Sequence, residues 1–122
     1  MKLKTSGLKG RALSWAVAKA DNELESQGGQ VHLVDGDLHW YEDALDEPYD
    51  PLSNWAQGGP ILSRERISRT IVHSGLWIAY NASNYSDEKE FMQCDVSELV
   101  AGLRCFVESK LGETVEIPKE LT

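Results

Sequence analysis

Apolar residues recur at helical spacing in two segments, one near each end of the chain. From Gly10 to Ala20 they recur at steps of three and four residues, which predicts an amphipathic helix. The longer series near the other end consists of Val96, Leu99, Val100, Leu103, Phe106, Val107 and Leu111. Asp95 with Glu98 three residues later has the form of a capping box, and Gly112 predicts a left-handed residue at the helix end. The pattern therefore predicts two helices, each with one apolar face.

Two other segments have the short β-branched and aromatic runs that are typical of hairpins. The first extends from Val31 to Trp40 around an Asp35-Gly36 pair, which favours a type I′ turn. The second extends from Thr70 to Tyr80 around Ser74-Gly75, and its aromatic and β-branched content predicts central sheet. Together with the helices, these runs predict the order helix, hairpin, hairpin, helix along the chain.

The remaining segments are predicted to be irregular or to lie at edges. Residues 42–53 are acidic, and Pro48 and Pro51 remove two backbone donors, so we expect a loop or an extended edge. Residues 81–93 are polar without a clean period and predict a loop. Thr114 to Pro118 predicts a short extended tail that Pro118 ends.

The predicted fold class is α+β. We expect one antiparallel sheet built from both hairpins, with the N-terminal and C-terminal helices packed on one of its faces. A chain of 122 residues fits a single domain over residues 1–122, and it is long enough to bury a hydrophobic core without disulfides.

The motif from Asn54 to Ile61, Asn-Trp-Ala-Gln-Gly-Gly-Pro-Ile, is the most distinctive local pattern in the chain. Trp55 is expected to dock into the core, and the residues after it are expected to turn the chain. The two glycines, Gly58 and Gly59, indicate either positive φ or a close backbone approach. One interpretation is a small binding pocket formed by Trp55, Gln57, Gly58 and Gly59. The alternative is a turn whose tryptophan only fills the core.

This motif is part of a resemblance that includes both ends of the chain. With Leu8 to Lys19 before it and Leu103 to Gly112 after it, the chain resembles the phage NinX-like family. The resemblance implies a small accessory protein encoded by lambdoid phages and prophages. It implies no biochemical activity, since none is established for that family.

Charge is distributed unevenly along the chain, whose net charge is -8. Residues 1–19 contain five basic residues and no acid, whereas residues 20–63 contain ten acids and no Lys or Arg. The acids proposed to contact a partner are Asp35, Asp37, Glu42, Asp43, Asp46 and Glu47. A negative surface repels nucleic-acid phosphates, so we expect no direct nucleic-acid binding there and instead a protein partner with a basic surface.

Other chemistry is predicted weakly or not at all. Cys94 and Cys105 have neither metal-site nor redox spacing, so buried free thiols are expected. His32 and His39 should lie opposite each other in the first hairpin as paired surface residues rather than metal ligands. Ser74 beside His73 lacks any nucleophile motif. We therefore expect no catalytic residue, metal or cofactor. We also expect neither a secretion signal nor a membrane span, which indicates the bacterial cytoplasm.

Three functional hypotheses remain open at this point. The first is a non-enzymatic accessory protein that binds a host or phage protein through its acidic surface, in one form as a DNA mimic. The second is an enzyme or small-ligand-binding protein that uses the Trp55–Gly59 motif. The third is a structural homo-oligomer, because the apolar faces exceed what two helices and one small sheet can cover.

Overall fold

The computed structural model of the chain describes residues 1–21, 30–34, 37–42, 45–72, 74–81 and 92–121. Its α-helices are α1 (Gly10–Ala20), α2 (Trp55–Arg64) and α3 (Glu98–Leu111). Its strands are β1 (Lys2–Lys4), β2 (Gln30–Val34), β3 (Asp37–Glu42), β4 (Leu45–Pro48), β5 (Ile67–Ile71), β6 (Trp77–Asn81), β7 (Met92–Asp95) and β8 (Thr114–Glu116). Short 3-10 helices lie at Thr5–Gly7 and Lys119–Leu121.

Helix α3 lies at the centre of the protein. It contacts β5, β6 and β7 and also packs against α1 and α2. The predicted apolar residues Leu99, Leu103, Phe106 and Val107 are buried, and so is every other residue from Ala101 to Val107. The middle of α3 is therefore covered on all sides. Gly102 allows α2 to approach closely, because a Cβ there would lie 2.8 Å from Cδ2 of Leu62. Val96 precedes the helix and is 77% exposed.

Residues that adjoin α3 in the sequence determine where the helix begins and ends. The Ser97 hydroxyl accepts a hydrogen bond from the Val100 N–H at 3.3 Å, which makes Ser97 the N-cap. Asp95, which was expected to cap the helix, instead accepts the Ser97 N–H at 2.9 Å and so orients the cap. Gly112 ends the helix with φ +94°, and the predicted positive φ is confirmed.

The Arg104 side chain connects α3 to two distant parts of the chain. Its Nε donates to the Leu8 carbonyl at 2.7 Å, and its Nη1 donates to the Cys94 carbonyl at 3.3 Å. The same Nη1 lies 3.1 Å from Oδ2 of Asp95, in an ion pair. Arg104 is buried, so these partners replace the water that its charge has lost. The N-terminal segment and β7 are thereby both fixed to the central helix.

The α+β class is confirmed, but the strands in the described ranges form three small antiparallel sheets rather than one. Their orders are β2-β3-β4, β5-β6-β7 and β1-β8. Both predicted hairpins are present, with Val34 opposite Asp37 in the first and Ile71 opposite Trp77 in the second. Each hairpin pairs with a third strand that follows it in the chain instead of pairing with the other hairpin. Helix α3 packs on the second sheet, whereas α1 contacts α3 and β3.

The third strands come from the two segments with the weakest periodic pattern. β4 lies at a sheet edge, which agrees with the extended edge expected for residues 42–53. β7 occupies part of the segment 81–93 that was expected to be a loop, and residues 82–91 of that segment lie outside the described residues. Four residues are too few for an alternating pattern to be recognised.

The two ends of the chain pair with each other. Leu3 of β1 lies opposite Val115 of β8, and the Ile117 N–H donates to the Met1 carbonyl at 2.9 Å. The buried Thr5 hydroxyl donates to the Gly112 carbonyl at 2.7 Å, beside the end of α3. The predicted extended tail is therefore a strand, whose partner was not predicted. Among the described helices, none has the length and apolar character needed to cross a membrane.

Replacement of Arg104 should destabilise the fold strongly. Arg104→Leu removes the donors to two carbonyls and leaves the Asp95 carboxylate without its cation, which should lower the free energy of unfolding by about 3 kcal/mol or more. Urea denaturation followed by circular dichroism measures this change. Arg11→Leu, at an exposed position of α1, is the control and should change stability by less than about 0.5 kcal/mol. Equal effects of the two variants would contradict the proposed role of Arg104.

Candidate functional site

The Asn54–Ile61 motif begins helix α2 and does not form the expected turn. The Asn54 side chain is the N-cap, since its Oδ1 accepts the Ala56 N–H at 3.0 Å. The Gly-Gly-Pro triplet lies within the helix although glycine and proline disfavour helix interiors. Helix α2 packs against α3 and β5, so tertiary packing determines its conformation against local propensity.

Trp55 is on the surface, and the expectation that it docks into the core was wrong. It is the first residue of α2 and is 49% exposed. Its ring lies along the helix over Gly59, where a Cβ would come within 3.3 Å of Cε3 of the indole. An indole with one face covered and the rest accessible is a frequent feature of binding surfaces.

Gly58 is required by a close approach, as one of the two interpretations predicted. A Cβ at this position would lie 2.3 Å from the Pro51 carbonyl oxygen and 2.9 Å from Cδ2 of Leu99. Gly58 is not among the described residues with positive φ. The missing side chain therefore allows α2 to pack simultaneously on the Pro51 backbone and on α3.

Gln57 holds the end of the acidic segment against α2. Its Oε1 accepts the Asp50 N–H at 2.6 Å, and its Nε2 donates to the Pro48 carbonyl at 2.9 Å. A carboxamide that bonds the carbonyl of one residue and the N–H of the second residue after it imitates a residue of a neighbouring strand. Both polar groups of Gln57 are thus engaged with the backbone.

Tyr49 also holds the end of the acidic segment, and its side chain is buried. Its N–H donates to the Leu38 carbonyl at 2.9 Å, and its buried ring lies near the ion pair in which Asp21 Oδ1 is 2.8 Å from a nitrogen of Arg64. Burial raises the pKa of Tyr49 well above its ordinary value, the Asp21 charge raises it further, and the Arg64 charge opposes both. The backbone between Pro48 and Asp50 is therefore held by Gln57 of α2 and by Leu38 of β3.

The predicted acidic residues are only partly located. The side chains of Asp37 and Glu47 are exposed. Glu42 and Asp46 have backbone positions in β3 and β4, with Glu42 opposite Leu45 and Asp46 opposite Tyr41. Asp35 and Asp43 lie outside the described residues.

The two located carboxylates do not share a sheet face. Glu47 lies opposite Trp40, and Asp37 is an odd number of residues away from Trp40 on the same strand. Since successive residues point to opposite faces, Asp37 and Glu47 belong to different faces of the sheet. Asp50, which follows β4, is also exposed and accepts a hydrogen bond from the Ser53 hydroxyl.

Gln57 links the end of the acidic segment to the helix that begins with Trp55. Glu47, Asp50 and Trp55 are exposed, and the chain that carries them is connected to α2 through Gln57. We call these three residues the acidic–indole surface. Asp50 belongs to the acidic region, Asp35 to Asp50, that the sequence suggested, whereas the role of Gln57 in bonding to its backbone was not recognised, because no local pattern indicates the partners of Gln57.

The histidines form an aromatic group on β2 and β3. His32 lies opposite His39, as predicted. The ring of Tyr41 is 5.5 Å from that of His32 and 6.4 Å from that of His39, centroid to centroid. His73 lies outside the described residues. Within the described ranges, no group of three or more His, Cys, Asp or Glu residues is arranged to hold a metal ion.

The two cysteines differ in environment, and the expectation that both are buried was wrong for Cys94. Cys105 is buried in α3, whereas Cys94 is exposed on β7, and both are free thiols. Burial raises the pKa of the Cys105 thiol to about 12, and the Glu108 charge adds to this effect. Cys105 therefore acts as a small apolar residue of the core.

A cleft of about 580 Å³ lies where β7, α3 and the β1–β8 pair meet. Cys94 and Gln93 line it from β7, Glu108 from α3, and Lys4 and Thr114 from the terminal strands. The Gln93 amide donates to the Glu108 carboxylate at its wall. No sequence pattern indicated this cleft, because its lining residues are distant in the chain.

These features define a small α+β protein built around one buried helix, with an exposed acidic–indole surface. The chain belongs to the phage family described as Bacteriophage P22, NinX, whose model matches residues 4–110. The resemblance noted in the sequence is therefore confirmed over most of the chain. No curated protein matches the chain.

The different surroundings of the two adjacent glycines yield a matched pair of variants. Gly58→Ala should lower the free energy of unfolding by about 2 kcal/mol or more, because the new Cβ would overlap the Pro51 carbonyl oxygen. Gly59→Ala should change it by less than about 1 kcal/mol, because the tight contact with Trp55 is offset by the better helix propensity of alanine. Urea denaturation of both variants measures the difference, and a Gly58→Ala variant as stable as Gly59→Ala would contradict this packing.

The buried thiol should make the fold sensitive to alkaline pH. The unfolded chain releases the Cys105 proton near the ordinary pKa of 9.0, whereas the folded chain retains it to about 12. Stability should therefore be lost progressively from about pH 9 to 12, by an amount on the order of a few kcal/mol. Cys105→Ala should show a shallower decline than the wild type over this range. Tyr49 titrates in both proteins, so parallel declines in urea-denaturation curves would exclude the contribution of Cys105.

Proposed function

We propose that this phage accessory protein is a non-enzymatic binding module that captures a host or phage protein with a basic surface. The acidic–indole surface is the proposed contact, together with the acidic residues Asp35, Asp37, Glu42, Asp43 and Asp46. The observation that carries the proposal is the Gln57 carboxamide, which holds the chain between Glu47 and Trp55 in one arrangement.

The negative charge of the chain supports a partner with a basic surface. Between residues 20 and 63 the chain has ten acids and no Lys or Arg. Such a concentration of negative charge attracts a basic surface from a distance and increases the rate of association. It also disfavours direct binding to nucleic acid.

The exposed indole of Trp55 supplies binding free energy that charge alone does not. Exposed ion pairs contribute only about 0–1 kcal/mol each, whereas buried tryptophans are among the side chains that dominate interface energies. A lysine or arginine of a basic partner can also lie against the indole face, in a cation–π contact worth about 0.5–2 kcal/mol. Trp55 is half exposed, so a partner has apolar area to cover there.

Rigidity of the backbone supports binding further. Gln57, Tyr49 and Gly58 each fix the segment that carries Asp50 and Trp55. A surface that is ordered before binding loses less conformational entropy when the partner docks. Capture of a protein that normally binds DNA, through carboxylates in place of phosphates, is one form of this proposal.

A small-ligand pocket at Trp55–Gly59 has less support. Both polar groups of Gln57 already bond to the backbone, and the space beside Gly58 is occupied by Pro51 and Leu99. Of the four proposed pocket residues, Trp55 is the only exposed one, and a single indole does not enclose a small molecule.

Partner capture from bacterial host lysate tests the proposal. The tagged protein is compared at low and physiological salt with a variant in which Asp35, Asp37, Glu42, Asp43, Asp46 and Glu47 are replaced by Asn or Gln. We expect a stoichiometric partner that is retained at low salt, weakened at physiological salt and lost in the variant. Trp55→Ala should reduce capture at both salt concentrations.

The matched control neutralises exposed acids elsewhere. Glu113→Gln with Glu120→Gln removes two carboxylates from the C-terminal part of the chain and should leave capture intact. Circular dichroism of all variants verifies that the fold is retained. Equal capture by the wild type and the neutralised acidic variant would dismiss the proposed surface.

A further inference from the structure

The four outer strands of the two larger sheets differ in how their edges are protected. In an antiparallel sheet, alternate residues of an outer strand direct their N–H and C=O groups away from the sheet. An unprotected edge of this kind pairs readily with another strand. The outer strands are β2 and β4 in one sheet and β5 and β7 in the other.

The edge of β4 is protected by Pro48 and Gln57. The Leu38 carbonyl of β3 bonds to Tyr49 at 2.9 Å, which determines that Asp46 and Pro48 are the outward residues of β4. Pro48 has no N–H, and its carbonyl accepts the Gln57 amide at 2.9 Å. The strand also carries Asp46 and Glu47, and charged residues discourage pairing with another edge.

The edges of β5 and β7 are each protected by an arginine. The Val72 N–H bonds to the Leu76 carbonyl at 2.9 Å, so the outward residues of β5 include Ile67. The Ile67 carbonyl accepts Nη1 of Arg69 at 2.9 Å. By the same alternation Cys94 is an outward residue of β7, and its carbonyl accepts Nη1 of Arg104 at 3.3 Å.

The edge of β2 lacks such protection within the described residues. Leu33 lies opposite Leu38, whose carbonyl bonds to the β4 side, so Leu33 and likewise Val31 direct their N–H and C=O groups outward. In the described part of the chain, no side chain bonds to these groups. The strand Gln-Val-His-Leu-Val contains neither a formal charge nor proline, and Leu33 is 40% exposed.

We propose that the outer edge of β2 pairs with β2 of a second copy of this chain, antiparallel about a twofold axis. If the axis passes beside residue 32, Val31 of one copy lies opposite Leu33 of the other, and both pairs exchange backbone hydrogen bonds. The apolar residues of the two copies then lie on one face of a six-stranded sheet. The self-complementary alternation of β2 fits a second copy better than an unrelated strand.

The area and charge of this contact determine its strength. Two five-residue strands cover less than the roughly 1,000 Å² of a stable interface, so the dimer should be weak and dependent on concentration. Each copy has a net charge of -8, so added salt should screen the repulsion and strengthen the dimer. Partner capture through the acidic–indole surface should respond to salt in the opposite direction, which separates the two proposals.

Sedimentation velocity over a range of protein concentrations tests the proposal. The wild type should shift from monomer to dimer as concentration rises, more strongly at higher salt. Leu33→Pro removes an outward N–H that the β2–β3 pair does not use, so it should remove the dimer while the hairpin remains folded. Ile71→Pro is the matched control, because Ile71 is an outward residue of β5 that is 55% exposed, and it should leave dimerisation intact.

Amide hydrogen exchange provides a second measurement on the unmodified protein. The amides of Val31 and Leu33 should exchange quickly in dilute protein and become protected severalfold in concentrated protein, whereas the amide of Ile71 should not change. A wild type that stays monomeric, or a dimer that persists in Leu33→Pro, would overturn the proposal. A monomeric wild type whose partner capture is lost in Leu33→Pro would assign the β2 edge to a partner's strand instead.

Discussion

The guanidinium of Arg104 projects from the central helix α3 into the protein interior. Its burial is the constraint on which the rest of the structure depends. A charge that has lost its water is tolerated only when acceptors replace that water, and for Nε and Nη1 of Arg104 these come from Leu8, Cys94 and Asp95. The first of these acceptors precedes α1 and the others belong to β7. The N-terminal segment, the second sheet and α3 must therefore assemble together for any of them to be stable. The apolar residues around α3 provide most of the driving force, and Arg104 determines which arrangement satisfies it.

Polar side chains also satisfy backbone carbonyls at the edges of the sheets. Gln57, Arg69 and Arg104 each bond to an outward carbonyl of a different strand. Three small sheets expose more edge than one large sheet would, so this fold has a particular need for such protection. Gln57 combines edge protection with the support of the proposed binding surface, because the strand that it caps leads directly to Asp50 and Trp55.

Part of the candidate site could be predicted from the sequence. The acidic segment is visible as a run of charge, and the paired glycines correctly indicated a close approach at Gly58. Exposure of Trp55 could not be predicted, because a tryptophan beside an aliphatic run has the same local pattern whether it is buried or at the surface. The partners of Gln57 could not be predicted either, since they are backbone atoms of the preceding segment and any polar side chain can bond to them.

The sequence by itself determined α1, α3, both hairpins and the family, because periodicity, turn residues and a distinctive motif are local properties. Only the tertiary structure decided that the Gly-Gly-Pro motif is helical, that the hairpins belong to separate sheets and that the middle of α3 is buried on all sides. Each of these outcomes depends on contacts between residues that are distant in the chain. A helix of weak propensity forms when packing stabilises it. Two hairpins belong to separate sheets when each pairs with a different third strand, as β4 and β7 do here.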